Sequence, residues 1–332
     1  MVHTPISVLV FLSLTATVLA DEYTIVKGFF KQDDEDIDAS DIDYQDNLGL
    51  NDDLDWSTFA EKIHDLKDDA DDDESYKVIY FGRHGEGYHN IAADKYEDAF
   101  WCYYALREGD DEITWGPDPK LTDKGVSQAK KNHDLIENLI DDDLPLPEVF
   151  YSSPLTRCAD TLTYTWKGNG LDGMTPIFKE NLREQLNPGT PNMRNDRKYL
   201  EEHYPSFEFE DGFADIDTLL QKCINTGTSE TSEGMQKRAK AFLDEIFDNS
   251  NATFVSVTSH SGLGKNLLRV VGHRKYHLHT AEILPMVIKR KSSESDSIDG
   301  PFTRTANTDC STGTYPALPA SRTARVTEVP SN

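Results

Sequence analysis

Short apolar runs recur along the middle of the chain and predict buried β-strands. Each is bounded by polar or turn-forming residues, which is typical of strands rather than of long helices. The predicted strands cover residues 76–82, 148–151, 253–258 and 284–289. Three of them end in segments rich in glycine, serine or histidine, so their carboxyl ends are the natural places to look for chemistry.

Longer segments with apolar residues three and four positions apart separate these strands and predict amphipathic helices. Thr122 is a candidate N-cap for the first of them, in which Ala129, Leu135, Ile136 and Leu139 form an apolar stripe. The predicted helices cover residues 123–140, 155–166, 233–247 and 263–271. Alternation of strands and helices predicts an α/β fold, a three-layer α/β/α sandwich with a mainly parallel central sheet over residues 76–290.

Both flanks of this predicted domain differ from it in composition. Residues 33–75 hold 19 Asp and Glu against two Lys, so residues 21–75 are interpreted as an acidic N-terminal arm. Within the arm, Trp56, Phe59, Ile63 and Leu66 have helical spacing and predict a helix over 56–67, with the rest solvated. Residues 291–332 are rich in Ser, Thr and Pro and predict an irregular tail.

Residues 1–20 have the apolar run and small-residue end of a secretory signal peptide, with cleavage expected before Asp21. A membrane anchor is the alternative, but such a span needs about 20 apolar residues. We therefore expect a secreted protein, with the vacuole or the cell wall as alternative locations. We expect no membrane association of the mature form. Asn251 begins an N-glycosylation sequence. The four cysteines are too widely spaced for a zinc site, and their pairing stays open.

The formal charge of −27 argues against nucleic acid or anionic membranes as partners. The residues that could carry chemistry are nevertheless cationic. Arg83 and His84 follow the first predicted strand, Arg157 begins the helix after the second, and His260 follows the third. Because ligands of α/β sheets bind beyond the carboxyl ends of strands, these side chains predict a site for a phosphoryl group. His273, His277 and His279 have metal-ligand spacing, but a polar connection before the last strand is the preferred interpretation.

Five motifs, in order along the chain, resemble those of the histidine phosphatase superfamily, whose fold is called phosphoglycerate-mutase-like. They are YFGRHGEGYHN at 80–90, LTDKGVSQA at 121–129, SPLTR at 153–157, LRE at 182–184 and TSHSG at 258–262. Residues 86–90 and 115–118 look most like the fungal branch of that superfamily.

The resemblance implies a role for each matching residue. His84 would be the nucleophile that becomes phosphorylated, and Glu184 would protonate the leaving oxygen and later activate water. Binding of the phosphoryl oxygens would fall to Arg83, Asn90, Arg157 and His260. No metal and no cofactor are expected, and the substrate would be a phosphorylated small molecule. The identity of that substrate and the oligomeric state stay open.

Three functions fit this reading. A secreted, metal-independent phosphomonoesterase is preferred, because a signal peptide suits a hydrolase and the segment after Glu184 departs from the family's mutases. A phosphomutase of the same fold is the first alternative. A non-catalytic protein that binds a phosphorylated ligand is the second. The Ser261 that follows His260 departs from the Asp of the acid phosphatase and phytase branch, which favours Glu184 as proton donor.

Overall fold

The computed structural model describes residues 21–292, and one seven-stranded sheet organises them. The strands are β1 Glu22–Ile25, β2 Glu74–Arg83, β3 Val149–Ser152, β4 Ile177–Phe178, β5 Glu208–Phe209, β6 Phe254–Ser259 and β7 Ile283–Lys291. Their order across the sheet is β1-β7-β2-β6-β3-β4-β5. Strand β7 runs antiparallel to both neighbours, and the other pairs are parallel. The predicted mainly parallel sheet is confirmed.

Eight α-helices connect the strands over this part of the chain. They are α1 Trp56–Asp68, α2 Tyr88–Tyr96, α3 Asp123–Asp141, α4 Thr156–Trp166, α5 Arg197–His203, α6 Thr218–Thr226, α7 Ser232–Asn249 and α8 Ser261–Val270. A π-helical turn, Phe100–Tyr104, follows α2. Thr122 caps α3 as predicted, because its hydroxyl accepts the Gly125 N–H at 3.0 Å. No helix among residues 21–292 is long and apolar enough to cross a membrane.

Two apolar cores, one on each face of the sheet, complete the α/β/α sandwich. Val78 and Tyr80 of β2 point into a core that also contains apolar side chains of α1, α3 and α4. Ile79 and Phe81, which alternate with them, point into the core built with α7 and α8. The central strand is buried on both faces, which explains why it reads as an unbroken apolar run.

The interpretation of the acidic segment as a solvated arm is wrong for much of its length. Strand β1 pairs with β7 at the edge of the sheet. Phe29, Phe30, Leu48 and Leu50 are buried in the same core as α1. Apolar residues of the segment dock on the domain, while most of its carboxylates stay at the surface, so composition alone underestimated the order of the segment. The predicted helix over 56–67 is confirmed as α1, and Asp55 caps it by accepting the Thr58 N–H at 2.7 Å.

The predicted signal peptide and the predicted tail beyond residue 292 lie outside the described residues. Lys291, assigned to the tail, is the last residue of β7. Cys158 and Cys223 are free, buried thiols. Cys158 sits on α4, as a small apolar residue would.

Candidate active site

Three neighbouring strands place predicted site residues at the same edge of the sheet. Strands β2 and β6 are paired in parallel, with Arg83 opposite Ser259, so His84 and His260 leave the sheet side by side. Their ring centroids lie 5.1 Å apart. Strand β3 pairs with the other side of β6, and Arg157 lies in the first turn of the helix that follows it. The structure therefore brings both histidines and Arg157 together at the strand ends.

The tautomer of His84 follows from one hydrogen bond. Nδ1 lies 2.7 Å from the carbonyl oxygen of Gly85, and a carbonyl can only accept, so Nδ1 carries the proton. In the neutral ring Nε2 then holds a free lone pair. Burial, followed by the positive charges of Arg157 and Arg83, holds the pKa of His84 well below its usual range. Its environment therefore favours the neutral imidazole.

The loop after His84 is held by α3 and α4. The Gly85 N–H donates to Thr161 Oγ1 at 3.0 Å, and the Glu86 N–H donates to Gln128 Oε1 at 2.8 Å. Gly125 packs so closely that a Cβ there would overlap the Glu86 backbone. The pattern of residues 121–129 thus has a physical meaning. Its glycine admits the loop and its glutamine fixes the loop by a hydrogen bond.

The two arginines differ in how they are held. Arg83 is partly exposed, and its Nη1 donates to the Leu278 carbonyl at 2.8 Å. Arg157 is completely buried. Its Nη1 donates to the Pro191 carbonyl at 2.9 Å and lies 3.8 Å from Asp118 Oδ1. The Nε atoms of both arginines have no hydrogen-bond partner among the described residues, so each retains a donor for an anion.

His260 is also fully buried and is fixed from several sides. Its Nε2 lies 2.9 Å from Ser153 Oγ and 3.4 Å from Cys158 Sγ. Its Nδ1 lies 3.5 Å from Arg157 Nη2. Burial, and then the charge of Arg157, lowers the pKa of His260 well below its usual range. Polar neighbours thus lie within reach of both ring nitrogens. The same environment favours the neutral imidazole.

A third histidine belongs to this cluster and was missed as a site residue. The His89 ring lies 5.2 Å from the His84 ring, centroid to centroid. It is buried, and its Nδ1 has no hydrogen-bond partner among residues 21–292. Its one sequence signal is its position next to Asn90, within the motif at residues 80–90.

Glu184 faces the cluster from a loop. Its Oε1 accepts the Gln185 N–H at 2.8 Å, and its Oε2 accepts the Gly262 N–H at 3.1 Å, at the start of α8. Arg238 holds the same loop from behind, since its Nη2 donates to the Glu184 carbonyl at 3.2 Å and its Nη1 to the Arg183 carbonyl at 2.8 Å. Nothing in the sequence had singled out Arg238.

A cavity of about 1010 Å³ opens onto these groups. Four predicted site residues line it, namely Arg83, His84, Asn90 and Glu184. Arg157 and His260 are not among the residues that line its wall; both are completely buried, and the His260 ring packs against the His84 ring. Asn90 Oδ1 accepts the Gly87 N–H at 2.9 Å, which orients the amide and leaves its Nδ2 group as a donor for a ligand. The roles of these residues in binding and catalysis stay predictions.

Candidate metal ligands lie elsewhere. Within residues 21–292, one group has ligand atoms close enough to share an ion, and it consists of His133, Asp134 and Glu137 on α3. His273, from the histidine-rich connection, lies 3.1 Å from the buried carboxylate of Asp33. That contact fixes the acidic segment to the domain, as expected of a structural polar connection.

Comparisons with known proteins show what this chain is similar to. A probable phosphoglycerate mutase of Arthroderma benhamiae is 35% identical over 297 residues, covering 84% of this chain and 87% of that protein. The Candida albicans protein called phosphomutase-like protein 3 is 33% identical over 286 residues, covering 86% and 85%. A crystal structure of phosphoglycerate mutase from Bacillus anthracis is 18% identical, covers 72% of this chain and 96% of its own, and superposes with a TM-score of 0.42.

The model of the histidine phosphatase superfamily (branch 1) matches residues 79–287. That match spans all three strand ends that carry the site. Its members are phosphatases or mutases that act on phosphorylated small molecules. The chain therefore belongs to the histidine phosphatase superfamily, with fungal phosphoglycerate-mutase-like proteins among its relatives.

Proposed function

We propose that this protein is a secreted, metal-independent phosphomonoesterase that works through a phosphohistidine on His84. The observation that carries the proposal is the hydrogen bond from His84 Nδ1 to the Gly85 carbonyl. It fixes the proton on one nitrogen and leaves the other free to attack phosphorus, while the low pKa keeps the ring neutral.

In the first step, His84 Nε2 forms a bond to phosphorus and the ester P–O bond breaks. Glu184 gives its proton to the departing alkoxide, which leaves as an alcohol. Arg83, Arg157 and His260 supply positive charge and hydrogen-bond donors for the equatorial oxygens. His260 can take up a proton as the phosphoryl dianion enters, because the added negative charge opposes the burial that lowers its pKa.

In the second step, the Glu184 carboxylate accepts a proton from a water molecule that attacks phosphorus. The P–N bond breaks, and inorganic phosphate leaves with the His84 lone pair restored. The guanidinium groups supply the charge that a metal ion supplies in other phosphatases. Activity should therefore survive a strong chelator.

The names of the relatives favour a phosphomutase as the second candidate. A mutase would return the phosphoryl group from His84 to another hydroxyl instead of passing it to water. The two activities separate cleanly in one assay, because only the phosphatase releases inorganic phosphate in proportion to the ester consumed.

The decisive experiment combines phosphate release with trapping of the intermediate. His84→Ala should lose phosphate release by at least about 10³-fold and should retain no acid-labile, alkali-stable phosphoryl label after quenching. With an activated aryl ester, whose leaving group needs no proton, Glu184→Gln should accumulate that label, because only the attack by water is then slowed. His64→Ala is a matched control, since His64 is an exposed histidine on α1. Full activity of the His84 variant would overturn the proposal.

Secretion rests on the predicted leader at residues 1–20 and has its own test. Asn251 is exposed in the connection before β6, as a glycosylation acceptor must be. Protein recovered from culture medium should begin at Asp21 and lose mass on deglycosylation, and Asn251→Gln should abolish that loss. Retention of the whole chain inside the cell would overturn the proposed secretion and leave the proposed chemistry intact.

A further inference from the structure

The cavity is much wider than a phosphoryl group needs. At about 1010 Å³ it reaches the upper end of the range for small-molecule sites. The part of its wall away from His84 comes from α2, the π-helical turn, the loop after Glu184 and α6. Apolar side chains supply much of that wall, and they are Ala93, Trp101, Leu106, Pro188, Met193 and Ile224. Trp101 and Leu106 are 43% and 53% exposed, unusual values for large apolar residues.

The charges on the wall are unevenly divided. Among residues 21–292, Arg83 is the one cationic side chain that lines the cavity, and it lies at the phosphoryl end. Two carboxylates line it, Glu184 beside the reacting group and Glu108 on the wide wall. The remaining polar groups of the wide wall are uncharged amides and hydroxyls, namely Gln185, Asn187, Thr190, Asn192, Gln221, Asn225 and Ser229.

This distribution bears on the alcohol part of the ester. A phosphoryl dianion already uses Arg83 and the buried Arg157. A second negative charge on the leaving group would have to be desolvated opposite Glu108 with no cation of the wall to meet it, and an unpaired charge of that kind is costly. Amides and hydroxyls, in contrast, suit the hydroxyls of an uncharged alcohol, and Trp101 offers a flat apolar face.

We infer that the protein selects phosphomonoesters of bulky, uncharged alcohols with an apolar face and rejects esters whose alcohol carries a carboxylate. The inference rests on the proposed phosphatase function and deepens it. It also separates this site from one built for phosphoglycerate, whose carboxylate would face Glu108.

A matched pair of substrates tests the charge rule. Glycerol 3-phosphate and 3-phosphoglycerate differ in a hydroxymethyl group against a carboxylate. We expect kcat/KM for phosphate release to be at least about 10-fold higher for glycerol 3-phosphate. Glu108→Gln should narrow that ratio several-fold by raising the value for 3-phosphoglycerate. Equal or faster release from 3-phosphoglycerate would overturn the inference while leaving the phosphatase proposal standing.

A second pair of measurements tests the apolar face. Trp101→Ala should lower kcat/KM for 1-naphthyl phosphate about 5-fold or more, mainly through KM, and should change that for glycerol 3-phosphate by less than 2-fold. Ile216→Ala is the control, because Ile216 is 64% exposed and does not line the cavity. Equal losses for both esters would show that Trp101 supports the fold rather than the substrate, and would overturn this part.

Binding to the His84→Ala variant keeps the test independent of turnover. Calorimetry should give 1-naphthyl phosphate and glycerol 3-phosphate at least about 10-fold tighter binding than 3-phosphoglycerate. If no ester is hydrolysed by the wild type but this order of binding holds, the phosphatase proposal fails and the selectivity stands. The reverse order of binding overturns the selectivity whatever the wild type hydrolyses.

Discussion

The two ends of the cavity are built in opposite ways. At the phosphoryl end, His84, Arg157 and His260 are buried at the ends of neighbouring strands or one turn beyond, and hydrogen bonds to backbone or buried side chains hold each of them. At the wide end, Trp101 and Leu106 project from a π-helical turn and the loop after it and are about half exposed. Under the proposed function, residues at the strand ends would carry out the chemistry, whereas surface loops would select which ester can enter.

The largest expected effect comes from the buried cation of the phosphoryl end. Arg157→Met should reduce phosphate release by about 10³-fold, because a donor aimed at the transferring group is lost. It should also cost about 3–5 kcal/mol in the free energy of unfolding, since Asp118 is left buried without its cation. Both are measured on one preparation, by phosphate release and by urea unfolding.

A double variant separates these two losses. Arg157→Met combined with Asp118→Asn should regain much of the stability, because the unpaired carboxylate is gone, and should regain none of the activity. Recovery of activity in the double variant would mean that Arg157 acts only as the counter-charge of Asp118. The proposed difference between a catalytic end and a selective end of the cavity would then be wrong.

The next effect concerns the contact between Glu184 and α8. A Cβ on Gly262 would overlap the Glu184 carboxylate. Gly262→Ala should therefore displace the proposed acid and lower kcat about 10²-fold, with a smaller change in KM. In a Glu184→Ala background the same substitution should cost almost nothing, since the clashing group is absent. Equal losses in both backgrounds would place the effect elsewhere in α8.

A smaller effect appears in the pH dependence of stability. Burial raises the pKa of Asp118 to about 6, although Arg157 and the Thr156 N–H oppose the shift. Between about pH 4 and 6 the folded state therefore holds more protons at this site than the unfolded state, and stability from this site falls as pH rises. Relative to Asp118→Asn, the wild type should lose roughly 2 kcal/mol between pH 4 and pH 7. A constant difference between the two proteins over that range would contradict the assignment.

The smallest effect is expected at the wide end. Leu106→Ser should change the free energy of unfolding by no more than about 0.5 kcal/mol, because the side chain is 53% exposed. Phe100→Ala, only six residues earlier but fully buried, should cost about 3–5 kcal/mol. Thermal unfolding of the two variants compares them directly. A large loss in the Leu106 variant would show that the wide wall is structural rather than available to a ligand.

The local sequence pattern was sufficient to predict a helix or strand wherever that element was long or its end was marked by a capping residue. Helix α3 and strand β2 were predicted nearly to the residue, because periodicity and Thr122 define the former and an unbroken apolar run defines the latter. Strands β4 and β5 have two residues each, and α5 has seven, so no period could be read from them. The acidic segment was misread for a related reason, since the buried Leu48 and Leu50 lie in a stretch whose composition is dominated by charge.

By itself the sequence determined the order of the longer strands and helices and the three strand ends that carry arginine and histidine. It could do so because those signals are local. Only the tertiary structure decided the tautomer of His84, the enclosure of Arg157 with Asp118 and the addition of His89 to the cluster. It also decided that no lysine or arginine of residues 21–292 lines the wide end. Each of these features depends on contacts between segments that are distant along the chain. Such contacts produce no periodicity and no motif in the sequence.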